Sequence, residues 1–209
     1  MAEFSLDRSD IAGVVLAGGR SQRMGRDKAG VMLGAESLLH HVLDRLSPQV
    51  FSVAVNADAT AENVPAIPDR IPGKAGPMAG IHAAMTYAAG FPAVTHVVTV
   101  SVDCPFFPAD LVARLAAAVE RPSQIAIASS EGRSHPVFGL WPVTLAADLE
   151  AWIATDQKRR VRDFLLRHDV TEVSFPLHPT RASLLDPFFN INTPDDLVEA
   201  ERWLEALRA

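Results

Sequence analysis

Cysteine is nearly missing from this chain: Cys104 stands alone among 209 residues. No intrachain disulfide and no cysteine-based zinc site can be built from it, which suits a reducing, cytoplasmic setting. Long apolar runs are missing too, and nothing approaches the roughly 20 residues of a membrane span. The first ten residues, MAEFSLDRSD, are polar and lack the apolar stretch of a secretory signal, so they read as a tail. An excess of positive charge is also lacking. Lys and Arg number 19 against 25 Asp and Glu, giving a net charge of −6 and a pI near 5.6. That balance excludes a uniformly basic surface for duplex nucleic acid, and an anionic ligand would need a local cluster of cations. There are no sequence repeats and no low-complexity tracts. What remains is a globular composition, 48% apolar and 21% charged, expected to form one domain over 1–209 with a sizeable core.

Strand-like runs alternate with helix-like ones. IAGVVLA (11–17) is short, apolar and β-branched, as a strand buried on both faces is. Further strands are predicted over 50–56, 64–69, 95–103, 124–130, 135–142, 170–175 and 187–192. Pro65 and Pro68 put the 64–69 run at an edge. Helices are predicted over 36–48, 77–90, 108–120, 143–155, 160–169 and 193–208. Leu39, Val42, Leu43 and Leu46 share one face of the first; Val112, Leu115 and Val119 share one face of the third. In the last, Thr193 is the expected N-cap and Pro194 the first helical residue, with Leu197, Ala200, Leu204 and Leu207 facing inward. This order predicts an α/β fold with a mostly parallel sheet and an antiparallel excursion in the C-terminal part. Ligands on such sheets bind beyond the carboxyl ends of the strands. Those ends carry LAGG (16–19), Asn56, Asp69 and Asp103.

The segment LAGGRSQRMGRDK (16–28) is unusual for a connection leaving a buried strand. Gly18 and Gly19 let backbone N–H groups approach a ligand, and a run of such groups makes an anion site. Arg20, Arg23 and Lys28 add full charges, the arginines as forks and the lysine as a point charge. The combination suits a triphosphate. It is not a Walker A loop, because Gly19 to Gly25 is one residue too long and Arg26 comes next; the G-x-G-x-x-G dinucleotide pattern is absent as well. Across the strand ends, Asp103 offers a carboxylate suited to Mg²⁺, which takes one or two carboxylates together with phosphate oxygens. The alternative reading of Asp103 is a cap on the 108–120 helix, and Thr193–Asp196 has the form of a capping box.

GVVLAGGRSQRMGRDKA (13–29) resembles the L-A-G-G-x-S-x-R-M-G-x-D-K signature of the molybdenum cofactor guanylyltransferases, within the nucleotidyltransferase superfamily. GPMAGI (76–81), SVDCPF (101–106), RSHPVFGLW (133–141) and NINTPDDL (190–197) resemble further segments of that family, in the same order and over nearly the whole chain. The resemblance implies a three-layer, Rossmann-like nucleotidyltransferase fold and Mg²⁺ as cofactor. It implies transfer of GMP from GTP to the terminal phosphate of the molybdenum-molybdopterin cofactor, with release of pyrophosphate.

By the same resemblance, Leu16, Ala17 and Gly18 lie against the nucleotide, and Lys28, Arg20 and Arg23 neutralise phosphates. Asp103 holds the metal, and Asn56 and Asp69 contact base or ribose. Arg133, His135, Asn190 and Asn192 are candidates for the cofactor substrate, with Asn192 also near Mg²⁺ or its water. Structural readings stand beside several of these: a turn acid at Asp69, a loop-starting Asn56, a strand-capping His135. QKRRVR (157–162) reads as a solvated helix face or a surface for an acidic partner. A cytoplasmic monomer is expected, with no nucleic-acid or membrane partner and with molybdoenzyme-maturation proteins as further partners. The alternatives are a cytidylyltransferase or another nucleotidyltransferase and, in a different class, a non-catalytic carrier of nucleotide or cofactor. Gly18–Gly19 and Asp103–Cys104–Pro105 depart from the L-A-A-G and D-Q-P patterns of the cytidylyl enzymes.

Overall fold

The computed structural model describes residues 4–18, 28–60, 62–71, 76–155, 160–181 and 183–208. Ten strands and six α-helices are found there. The strands are β1 (Ile11–Leu16), β2 (Met32–Leu33), β3 (Glu36–Ser37), β4 (Ser52–Asn56), β5 (His96–Ser101), β6 (Ile125–Ser130), β7 (Arg133–Pro142), β8 (Val170–Ser174), β9 (His178–Pro179) and β10 (Leu184–Leu185). The helices are α1 (Leu38–Leu46), α2 (Pro77–Ala88), α3 (Leu111–Ala117), α4 (Ala146–Thr155), α5 (Val161–Leu165) and α6 (Pro194–Arg208). Six strands form one sheet in the order β4-β1-β5-β7-β6-β8; β2/β3 and β9/β10 are separate two-stranded ribbons. In the main sheet only β7 runs against its neighbours. This is the expected α/β sheet with its antiparallel member in the later half.

The apolar strands are central because both faces are covered. Along β1, Ile11 and Val15 pack into one core with α1 and α3, while Ala12, Val14 and Leu16 pack into the other with α2, α4 and α5. The period of two along the strand thus feeds two helical layers. Fully burying one such valine or isoleucine stabilises by about 1.5–3 kcal/mol. A third, smaller core gathers Val31, Leu33, Leu38, Phe106, Leu185 and Ile191 under α6. Ser37 starts α1 by accepting a hydrogen bond from His40 N–H at 3.1 Å. β6 and β7 are joined by Glu131 (φ 49°) and Gly132 (φ 73°). Two successive left-handed residues make the tight reversal that a two-residue hairpin requires.

Several sequence expectations need correction. The run 64–69 makes no strand: Val55 N–H bonds to Pro65 O and Ile67 N–H to Val55 O, and a lone bridge joins Val55 and Ala66. Pro65 carries no N–H on the side that faces β4, so the ladder cannot extend past it. The run 187–192 is irregular as well, with Phe188 and Ile191 buried as anchors. The third helix shrinks to α3 and the fifth to α5. In α6, Leu207 is 38% exposed, and Trp203 rather than Leu207 turns inward beside Ala200. No helix among the described residues is long and apolar enough to cross a membrane.

Candidate active site

The carboxyl ends of β1, β4 and β5 lie side by side. Ala17 N–H donates to Asn56 O at 3.2 Å, and Val102 N–H donates to Leu16 O at 3.2 Å. Leu16 is buried, Ala17 half-buried and Gly18 exposed, so the chain rises to the surface at the expected nucleotide loop. Gly19, Arg20 and Arg23 lie outside the described residues, within 19–27. The described chain resumes at Lys28.

Lys28 joins segments far apart in sequence. Its Nζ donates to Asp103 Oδ2 at 2.7 Å and to Asn192 Oδ1 at 2.6 Å. The other carboxylate oxygen of Asp103 accepts from Ser101 Oγ at 2.5 Å. Both members of the ion pair are only 13% exposed as side chains, so water and salt screen their attraction less than that of a surface pair. The backbone pins it too, with Ile191 N–H donating to Asp103 O at 2.8 Å. Asp103 is not a helix cap, since Asp110 occupies that position on α3. The Thr193–Asp196 capping box does form: Asp196 Oδ2 accepts from Thr193 N–H at 2.8 Å, and Thr193 Oγ1 accepts from Asp196 N–H at 3.2 Å. Asp196 Oδ2 also accepts from Asn192 N–H at 2.9 Å, so one carboxylate starts α6 and positions Asn192. That last bond is the main reason the Asp196 carboxyl titrates below its ordinary range.

A divalent cation fits this donor set. Asp103 and Asn192 face each other with oxygens, the ligand type that Mg²⁺ selects. The ammonium of Lys28 sits between these two oxygens.

A second group forms beside β4. Asn56 is buried, and its Nδ2 donates to Ile67 O at 2.9 Å and to Asp69 Oδ1 at 3.0 Å. Both amide hydrogens are thus spent inside the protein, and Asn56 acts on Asp69, whose side chain is exposed. Sequence reasoning placed both residues at strand ends; only Asn56 is at one, and the hydrogen bond brings Asp69 to it. Gly80 of α2 makes the arrangement possible. A Cβ there would lie 2.5 Å from Asn56 Oδ1 and 3.1 Å from Leu16 Cδ2. This is why the GPMAGI segment carries glycine at its fifth place.

On the other side of Asp103 lies a cavity of about 440 Å³. Arg133, His135 and Asn190 line it together with Ser101, Cys104 and Asp186. Three of the four residues expected at a second substrate are therefore gathered; Asn192 is with Lys28 instead. His135 stacks on Phe188 at 4.5 Å between ring centroids. Burial pulls its titration below the ordinary histidine value; Asp186 opposes the shift and Arg133 adds to it. Cys104 is no nucleophile: burial first, then the Asp103 carboxylate, holds its thiol well above the usual range. Of QKRRVR, Arg160 and Arg162 are exposed, and 157–159 lie outside the described residues.

Sequence reasoning missed Ser101, Ser130, Asp186 and the close approach at Gly80. Ser101 was within reach, because it ends β5 only two residues before Asp103, which the structure places in the turn just beyond the strand. Asp186 sits in an irregular segment, and no periodicity marks it.

The MobA-like NTP transferase domain family matches the chain over residues 13–172. A mostly parallel sheet with a glycine loop and a carboxylate at adjacent strand ends, in a chain matching this family, defines a nucleotidyltransferase. A protein of Rhizobium johnstonii named molybdenum cofactor guanylyltransferase is 88% identical over 209 residues, covering 100% of both chains. One of the same name from Rhizobium meliloti (strain 1021) is 54% identical over 93% of this chain and 92% of its own. Among solved structures, molybdopterin-guanine dinucleotide biosynthesis protein A from Archaeoglobus fulgidus aligns with a TM-score of 0.68 at 26% identity, over 93% of this chain and 98% of that one. The chain belongs to the molybdenum cofactor guanylyltransferase family.

Proposed function

We propose that this protein transfers GMP from GTP to the terminal phosphate of molybdenum-carrying molybdopterin, giving the guanine dinucleotide form of the cofactor and pyrophosphate. The observation that carries the reading is the position of Lys28. It joins Asp103 and Asn192 at the carboxyl ends of the strands, between the Asn56–Asp69 pair and a cavity lined by Arg133, His135 and Asn190. The names of the relatives point to the same donor and acceptor.

In this reaction an oxygen of the acceptor phosphate forms a bond to the α-phosphorus of GTP, and the bond from that phosphorus to the bridging oxygen of pyrophosphate breaks. The nucleophile is already an anion, so no general base is needed. The protein has to bring two anions into line and balance charge on the leaving group. Lys28 leaves Asp103 for the phosphates, joined by Arg20 and Arg23 and by the backbone of Leu16, Ala17 and Gly18. Asp103 and Asn192 would hold Mg²⁺, which when bound would offset charge on the phosphates. Asp69, steadied by Asn56, accepts from the N1–H and N2–H₂ edge of guanine; a site built on such bonds rejects a base lacking them. Arg133, His135 and Asn190 receive the acceptor.

The test is transfer of label from α-³²P GTP or α-³²P CTP to the molybdopterin cofactor in the presence of Mg²⁺. Labelled acceptor from GTP alone is expected. Equal or faster transfer from CTP overturns the choice of base, and GTP binding with no transfer to any acceptor favours a carrier.

A further inference from the structure

At the wall of the cavity beside Asp103 runs a polar chain that the reaction scheme does not use: His135 and Asp186 line the cavity and are half-buried, and Ser130 is buried behind them. Ser130, at the end of β6, is 0% exposed. Its Oγ donates to Asp186 Oδ1 at 2.9 Å, and the same oxygen of Asp186 accepts from Phe188 N–H at 3.0 Å. Ser130 Oγ also lies 2.8 Å from His135 Nε2. A hydroxyl has one hydrogen and a carboxylate only accepts, so the hydrogen of Ser130 goes to Asp186. Toward His135 the hydroxyl can then only accept, and Nε2 must carry the proton. In the neutral imidazole Nδ1 is left with a bare lone pair. It meets no partner among the described residues, while the ring lines the cavity and is held flat against Phe188. The lowered titration of His135 keeps the ring neutral at ordinary pH.

We propose that His135 is a specificity-determining residue: its Nδ1 accepts a hydrogen bond from an N–H of the acceptor's pterin ring, with Ser130 and Asp186 as the positioning residues that fix the tautomer. This rests on the cavity being the acceptor site, as proposed above. A cavity presenting a lone pair favours a ring that offers a donor there and disfavours one that offers a second lone pair. The tautomer itself is a property of the free protein and can be read without substrate.

The experiment has two arms on the full chain. Long-range ¹H–¹⁵N correlation spectra of the wild type should show His135 in one form, protonated at Nε2 and bare at Nδ1. Ser130→Ala and Asp186→Ala should give a mixture of tautomers. Asp186→Asn, whose amide oxygen can take both bonds of Oδ1, should keep the single form. A wild-type His135 protonated at Nδ1, or a mixture, overturns the proposal and leaves the cavity assignment standing. In the second arm, His135→Phe keeps the ring and its stacking. It should raise KM for the molybdopterin cofactor about tenfold, with KM for GTP changed less than twofold. An unchanged acceptor KM overturns the contact. A rise in the GTP KM alone, with the tautomer as expected, overturns the assignment of the cavity to the acceptor.

Discussion

In the free protein Lys28 balances two oxygens, from Asp103 and from Asn192, that would otherwise face each other at a nearly buried position. In the proposed reaction its charge moves to the triphosphate. A charge-assisted hydrogen bond is worth about 1.5–3 kcal/mol. Lys28→Ala should therefore raise the dissociation constant of GTP roughly 10- to 100-fold, measured by calorimetry. An unchanged affinity would remove Lys28 from the phosphate site. Much of this was legible from residue types alone, since a lysine closing a glycine-arginine loop and an aspartate ending a strand both stand out. Ser130 and Asp186 were not legible. Their meaning comes from a hairpin and an irregular segment that bring residues 56 positions apart within 2.9 Å.

At the scale of elements, the approach of α2 to the end of β4 decides the shape around the Asn56–Asp69 pair, the proposed nucleotide contact. Gly80→Ala places a methyl 2.5 Å from Asn56 Oδ1, so Asn56 must turn away from Ile67 and Asp69. Overpacking of this kind costs about 1–3 kcal/mol. The variant should fold, with its melting temperature lowered by several degrees, and should bind GTP more weakly; wild-type affinity would show that Asn56 and Asp69 do not serve the nucleotide. β1 and β5 were readable because continuous β-branched runs mean strands covered on both faces. The segments 64–69 and 187–192 misled because apolar residues anchor irregular chain as well as strands. Pro65 and Pro187 lack the N–H groups that a ladder needs. Across the β6–β7 reversal Gly132 is left-handed, and Gly132→Ala should destabilise by about 1 kcal/mol, read as a shift in the denaturant midpoint.

At the scale of the molecule, two apolar cores clamp the sheet and leave its carboxyl edge free for chemistry. The opposite end carries a stability switch. His96 is 1% exposed, and burial holds its titration down at about 4 against 6.5 unperturbed, with Asp10 opposing weakly. The folded chain thus stays neutral there while the unfolded chain takes up a proton. No stability is lost above pH 6.5; as pH falls from 6.5 toward 4 the fold loses about 3 kcal/mol at this residue. His82, also pulled down by burial, adds a loss of the same sign. Melting temperature should be flat above neutrality and fall over that window, and His96→Phe should flatten the slope. A wild-type profile level down to pH 4 would contradict a neutral buried His96.

The central claim is that one carboxylate, Asp103, passes from the ammonium of Lys28 to the metal of a bound nucleotide and so makes guanylyl transfer possible. The most direct measurement is pyrophosphate release by Asp103→Asn with GTP, Mg²⁺ and molybdopterin cofactor, beside GTP binding by the same variant. We predict turnover lowered at least about 100-fold, with GTP still bound. Turnover within a few-fold of the wild type would contradict the account.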